Sequence, residues 1–210
     1  MKIKLKKKKN QSSSLWLKRH LNDKYFQLAK QEGYRSRASY KLIQINEKFK
    51  IFQNSKKILD LGSAPGGWLQ VIKRFSSNNS TILGIDKLNI QQINGINLLK
   101  LDIFSPKIFN EILFFFGNEK IDLILSDMSP NSSGNKNVDH IRIVSMVEQV
   151  LNLSSKILKK NGFLVSKIFQ GGAQGELLKS MKNELNNIKY FKPDASRRES
   201  PETYLVGKKK

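Results

Sequence analysis

"LDLGSAPGGW", residues 59–68, is an apolar, glycine-rich island in a chain of 210 residues that carries 38 lysines and arginines. With the two residues before it, "KILDLG" (57–62) reads as a buried strand ending in a tight turn, and "GWLQVIKRF" (67–75) as the helix that follows. Gly66 and Gly67 remove side chains where the backbone must approach something closely, which is how phosphates and nucleotide-like cofactors are commonly held. A glycine loop also serves plain turn geometry, so the loop alone leaves its ligand open.

The same alternation continues downstream. Apolar runs "TILGID" (81–86), "NLLKLD" (97–102), "IDLILSD" (121–127) and "GFLVSKIF" (162–169) read as strands. Between them lie helical patterns, "FNEILFFFGNEK" (109–120) as a buried helix with a loop and "IVSMVEQVLNLSSKILKK" (143–160) as a longer helix. Continuously apolar strands separated by helices predict an α/β architecture, a mostly parallel sheet covered on both faces. A last helix, "GELLKSMKNELNN" (175–187), leads to "IKYFKPD" and "ETYLVGKK", two runs with no room for a helix between them. They predict an antiparallel hairpin at one edge of the sheet, with the basic connection "KPDASRRESPE" as a substrate loop or a surface loop. Upstream, two helical patterns break near Gly33, the second running from about Ser36 to Phe49.

The chain has 38 basic against 17 acidic residues, a formal charge of +21, and 39% hydrophobic residues, enough to fill the core of one domain. Such a charge draws polyanions, nucleic acid first among them. Residues 1–50 hold 15 Lys/Arg and three Asp/Glu, so +12 of the +21 lies there. Residues 1–14 read as a flexible basic arm, either a solvated tail or a phosphate tether, and residues 15–210 as a single domain. With no cysteine and only His20 and His140, neither a disulfide framework nor a zinc centre is expected. The lysine-rich opening lacks the apolar core of a secretory signal and no run approaches a membrane span; a cytoplasmic, monomeric protein is expected.

Three carboxylates close successive strands: Asp86, Asp102 and Asp127. Ligands of open α/β sheets bind at the carboxyl ends of the strands, so these residues converge on the glycine loop. Asp86 lies 20 residues beyond Gly66, the spacing for a carboxylate that accepts from ribose hydroxyls. The loop matches neither GxGxxG nor GxxxxGK[ST], which argues against a dinucleotide or a nucleoside triphosphate. A nucleoside without phosphates fits better, and S-adenosylmethionine, whose sulfonium finds nearby carboxylates favourable, has that character. Lys167 is the other informative residue, because a lysine inside "GFLVSKIF" must be paired or lose its charge. Lys41, in the most basic part of the chain, reads from position alone as solvent-facing.

"SSSLWLKRHLNDKYFQLAKQEGYRSRASYKL", "LDLGSAPGGW", "SDMSPNSSG", "VSKIFQGG" and "KPDASRRESPETYLV", in that order, resemble the FtsJ-like family of ribose 2′-O-methyltransferases over nearly the whole chain. The resemblance implies a Rossmann-like, S-adenosylmethionine-dependent methyltransferase fold, a mostly parallel seven-stranded sheet with an antiparallel edge strand. It implies a catalytic set of Lys41, Asp127, Lys167 and Glu202, with Lys167 as general base, Lys41 against the target ribose or phosphate, and Glu202 orienting a lysine and the hydroxyl. It also implies S-adenosylmethionine held by Gly66, Trp68, Asp86, Asp102 and Asp127. The implied substrate is a uridine ribose of large-subunit ribosomal RNA in the ribosomal particle; transfer RNA is the alternative substrate, and a non-catalytic assembly factor the alternative function. Arg35, Arg37, Arg197 and Arg198 are candidates for RNA contacts near the pocket, and Tyr34 or Tyr40 for stacking on a base. Ser63, "KLNIQQING" after Asp86 and "QGGAQGE" depart from the family's usual residues and leave all four catalytic positions intact.

Overall fold

The computed structural model describes residues 22–130, 133–170 and 175–210, so the basic arm lies outside the described residues. In chain order these residues form α1 (Lys24–Gln31), α2 (Ser39–Phe49), β1 (Lys57–Leu61), α3 (Gly67–Phe75), β2 (Thr81–Asp86), β3 (Asn97–Lys100) and α4 (Ile108–Phe115). Then follow β4 (Ile121–Ser126), α5 (Lys136–Ile157), β5 (Leu158–Phe169), α6 (Gly175–Glu184), β6 (Leu185–Phe191) and β7 (Glu202–Lys209). One seven-stranded sheet runs β3-β2-β1-β4-β5-β7-β6. β1 to β5 pair in parallel, and β7 is antiparallel to both its neighbours.

The mostly parallel sheet and its terminal hairpin are as the sequence predicts. Within the hairpin the reversed strand is β7, inserted between β5 and β6, and β6 is outermost. Burial explains the order: Thr203 to Gly207 are all buried, as befits a strand paired on both sides, whereas β6 alternates like a strand at an edge. On one face α2 and α3 pack Leu42, Ile45, Trp68 and Ile72 against Val165, Tyr204 and Val206. On the other, α4, α5 and α6 pack Ile112, Val147 and Met181 against Ile124, Leu164 and Leu205.

Several boundaries differ from the sequence expectation, among them the start of β5, which lies at Leu158 rather than at residue 162 because residues 158–160, expected at the end of the preceding helix, are extended. α5 begins at Lys136 rather than near residue 143, because the Asn135 side chain accepts from the N–H groups of Asn137 and Val138 and caps it. Its first turns leave Val138 and Ile141 exposed, so no periodic apolar face marks them. The expected helix through residue 187 stops at Glu184, and the remainder belongs to β6.

Candidate active site

The topology reverses between β1 and β4, and a cleft of about 290 Å³ opens there at the carboxyl ends of the strands. Gly62 and Asp86 line it at the ends of β1 and β2, Asp102 after β3, and Asp127 and Met128 after β4. Gly62 takes φ 78°, and a Cβ there would meet Met128 Cγ at 2.2 Å, so only glycine fits. Asp86 stiffens the floor: its Oδ2 accepts from Ala64 N at 2.9 Å and its Oδ1 from Leu88 N at 2.8 Å. Asp102 Oδ1 accepts from Phe104 N at 2.9 Å. Apolar Ile103, Phe104 and Leu88 complete that end.

Gly66 and Gly67 do meet something closely, but it is protein. A Cβ on Gly66, at φ 106°, would lie 2.6 Å from Arg35 Nη1, and one on Gly67 would lie 2.4 Å from Ser36 Oγ and 2.8 Å from Ser39 Oγ. These contacts lock the start of α3 against the start of α2, where Ser39 Oγ also donates to Gly67 O at 3.0 Å. Trp68 is buried, its Nε1 donating to Ala38 O at 2.9 Å and its ring 5.8 Å from that of Tyr204. Neither Gly66 nor Trp68 is among the residues lining the cleft.

Beside the cleft, Lys41, Asp127, Lys167 and Glu202 come together from four places in the chain. In the β5–β7 ladder Lys167 stands opposite Tyr204 and Phe169 opposite Glu202, so the two-residue period puts Lys167, Tyr204 and Glu202 on one face. Asp127 follows β4, the other neighbour of β5. α2 crosses that face and lowers Lys41 onto the group. Lys41 Nζ lies 2.8 Å from Glu202 Oε1 and 3.9 Å from Asp127 Oδ1; Lys167 Nζ lies 2.7 Å from Asp127 Oδ1 and 3.8 Å from Glu202 Oε2. Charges alternate around a closed ring of zero net charge. Its side chains are only 7–15% exposed, and two counter-ions for each ion offset the cost of desolvation. Lys41 is therefore not the solvent-facing lysine its sequence position suggests.

Burial pushes the Asp127 and Glu202 carboxyls up, but the two ammonium groups more than offset it and hold both below the usual carboxylate range. Tyr204 is a member of the site that sequence reasoning missed. Fully buried, it donates its hydroxyl to Asp127 Oδ1 at 2.5 Å, and burial together with the charges of Asp127 and Glu202 pushes its phenol well up, keeping it a donor. The pattern "ETY" carried the signal, since residues two apart in a strand share a face. Asp60 was missed as well. It is 1% exposed inside β1, its Oδ2 has no hydrogen-bond partner, and burial pushes its carboxyl up to about 7.

The FtsJ-like methyltransferase family model matches residues 34–210. The chain belongs to the FtsJ-like methyltransferase family. Among curated relatives, "Ribosomal RNA large subunit methyltransferase E" of Rickettsia akari is 44% identical over 211 residues, spanning 98% of this chain and 92% of the relative. The protein of the same name from Rickettsia bellii is 45% identical over the same shares. Among solved structures, a Plasmodium falciparum protein assigned as a ribosomal RNA methyltransferase superposes with a TM-score of 0.75 at 28% identity, covering 84% of this chain and 98% of that one. A chain of a fibrillarin/NOP5P complex, at 16% identity and a TM-score of 0.53, shares the fold.

In this FtsJ-like chain, several residues expected to face RNA are committed to the protein. Arg35 donates to the carbonyls of Pro65, Gln91 and Gln92 at 2.7–3.1 Å. Arg37 pairs with Asp23 and donates to Ala195 O at 2.5 Å. Ala195 N in turn donates to Gln44 Oε1 at 2.9 Å, so α2, which carries Lys41, is clipped to the loop that delivers Glu202. Tyr34 and Tyr40 pack edge to face in the core, 5.8 Å between centroids, and are not available to stack on a base. Arg198 remains exposed, and Arg197 lies 4.0 Å from Asp23.

Proposed function

We propose that this methyltransferase uses S-adenosylmethionine to methylate the 2′-hydroxyl of a uridine ribose in large-subunit ribosomal RNA, in the cytoplasm. The observation that carries the reading is the closed ring of Lys41, Glu202, Lys167 and Asp127 beside a cleft floored by carboxylates; the names of the Rickettsia relatives supply the RNA.

The cleft suits the cofactor. Asp86 and Asp102 stand where ribose hydroxyls and the adenine edge would donate, apolar Ile103 and Phe104 suit a base, and Asp127 suits a cationic tail. The unpartnered Oδ2 of Asp60 adds a buried acceptor in the strand that leads to the cleft. Gly66 and Trp68 lie outside the cleft lining and pack against Arg35 and Ala38, so they support the site by fixing the start of α3 against the segment that leads into α2. S-adenosylmethionine supplies the methyl carbon on a sulfonium, which becomes a neutral thioether on transfer.

A ribose hydroxyl attacks only as it loses its proton, and the chain's own residues manage that proton. Lys167 Nζ donates to Asp127 Oδ1 at 2.7 Å and to the Asp127 carbonyl at 2.9 Å. With two of its N–H directions fixed by Asp127, the third faces the ribose hydroxyl; Lys167 acts as the base once that third proton has passed to solvent, and the lone pair left on the neutral amine then takes the proton of the hydroxyl. Lys41 sits across the ring as the cation that steadies developing charge on the oxygen, and Glu202 holds Lys41 in place. Tyr204 orients Asp127 from below.

The test is transfer of labelled methyl from S-adenosylmethionine to purified large ribosomal subunits, to isolated ribosomal RNA and to transfer RNA in parallel, with mapping of the product. One methylated uridine ribose in large-subunit RNA is the expected result. Label in transfer RNA alone would overturn the substrate, and cofactor binding without transfer to any of the three would overturn the activity.

A further inference from the structure

A second concave surface lies at the opposite end of the sheet, where the parallel strands begin. It is a groove of about 410 Å³ between the end of α2, the start of β5 and the end of β7, and Lys50, Lys159, Lys160 and Lys208 line it. The carboxylate in the groove is Asp122, and it is engaged. Its Oδ2 accepts from the backbone of Lys56 and Lys57 at 3.0 and 2.9 Å, and its Oδ1 pairs with Lys159 at 3.4 Å. Lys50, Lys160 and Lys208 have no ion-pair partner among the described residues. Lys208 is steadied instead by the ring of Phe163, 4.7 Å away in the same groove.

The scaffold under these lysines is fixed. β5 bulges where Ile121 pairs with Leu158 but Leu123 with Phe163, and the extra residues carry Lys159 and Lys160 outward. Gly162 closes the bulge: a Cβ there would lie 2.8 Å from Lys159 O and 2.9 Å from Asp122 O. At the other wall Lys50 takes φ 53° and turns the chain out of α2.

We propose that this groove binds the phosphate backbone of a second stretch of the RNA that is methylated, away from the target nucleotide; this rests on the RNA reading above. Three uncompensated ammonium groups around one concave surface complement a polyanion. β4 leads from Asp122 in the groove to Asp127 in the ring just past its end, roughly 16 Å at about 3.3 Å per residue, so the nucleotide in the ring does not itself fill the groove. The groove reads no sequence; it fixes how a large folded RNA lies against the protein.

The experiment compares the full chain, the triple variant Lys50→Gln/Lys160→Gln/Lys208→Gln, and a control of equal charge change on other exposed lysines, Lys30→Gln/Lys100→Gln/Lys179→Gln. Binding to isolated large-subunit RNA and to large subunits is measured across a salt series. The groove variant is expected to bind about tenfold more weakly and to lower the salt slope by about two, more than the control does, because each lost phosphate contact removes released counter-ions. Methyl transfer at saturating RNA is expected to stay unchanged. Equal losses in the two variants would overturn the proposal, and so would a groove variant that keeps its RNA affinity but loses binding to anionic lipid vesicles. RNA binding is read without turnover: a chain that binds the RNA through the groove yet methylates none of it removes the activity and leaves the groove, whereas unchanged binding by the groove variant beside normal methylation removes only the groove.

Discussion

At the carboxyl ends of β4 and β5 two lysines and two carboxylates lie 2.7–3.9 Å apart in a ring nearly closed to solvent, while at the other end of the same strands lysines stand around a groove with one engaged carboxylate between them. The same side chain thus stands in two kinds of surroundings. Inside, its charge is held by partners and its geometry is fixed, which the proposed proton transfer requires. Outside, Lys50, Lys160 and Lys208 have no ion-pair partner among the described residues, which suits contact with a polyanion whose exact path varies. The difference lies in what surrounds each lysine, and the net charge of +21 says nothing about it.

The largest expected effect is at the ring. Lys167→Ala should lower the rate of methyl transfer by about 10² to 10⁴, the range for loss of a positioned general base, while cofactor affinity measured by calorimetry stays within a few-fold. Unchanged turnover would remove Lys167 from that role. Asp86→Ala should do the reverse, weakening cofactor binding by about tenfold or more, as expected when one charge-assisted hydrogen-bond partner is lost. An unaltered dissociation constant would take Asp86 out of the cleft's binding set. Tyr204→Phe keeps the ring and removes only the donor to Asp127, so it should cost about 2 kcal/mol in chemical denaturation and slow turnover without changing cofactor affinity.

Opposite signs of pH dependence sharpen the comparison further. Asp127 and Glu202 titrate below their ordinary values in the folded chain, so the stability they contribute is present above the usual carboxylate range and is lost on acidification through their depressed values. Asp60 behaves the other way. Its carboxyl, raised from 3.8 to about 7, binds a proton in the folded chain that the unfolded chain has released, so its contribution declines as pH rises from about 4 to about 7. Asp60→Asn should remove that decline and raise the melting temperature at neutral pH more than at pH 4; an equal shift at both would show that Asp60 is not protonated in the fold. The smallest effect belongs to the surface pair of Lys57 and Glu119, whose carboxylate is 70% exposed. Glu119→Gln should change stability by about 0.5 kcal/mol or less in chemical denaturation, and a larger loss would mean that this pair is held more firmly than the exposure of its carboxylate implies.

The sheet was legible because its strands are buried on both faces and leave continuous apolar runs, as in "KILDLG" and "IDLILSD". The start of α5 was not, because a capped but polar helix carries no periodicity. Lys41, Asp127, Lys167 and Glu202 were found through the family pattern, yet only the structure shows how a helical lysine in a basic segment becomes buried: the strand face beneath it supplies Glu202. Arg35 and Arg37 show the converse limit. A charged residue in a basic stretch looks available in sequence, and carbonyl groups distant along the chain, such as those of Gln91 and Ala195, decide that it is not.

The insertion of β7 between β5 and β6 bears on how the protein is made. During synthesis β6 emerges before the strand it must pair with, and β5 presents an unpaired edge on that side until β7 arrives. The ring is completed in the same event, since β7 brings Glu202 and Tyr204. A nascent chain stopped after β6 therefore leaves β5 and β6 unpaired where β7 will lie and lacks Glu202 and Tyr204, so closure of the sheet and completion of the ring are a single late step in its biogenesis.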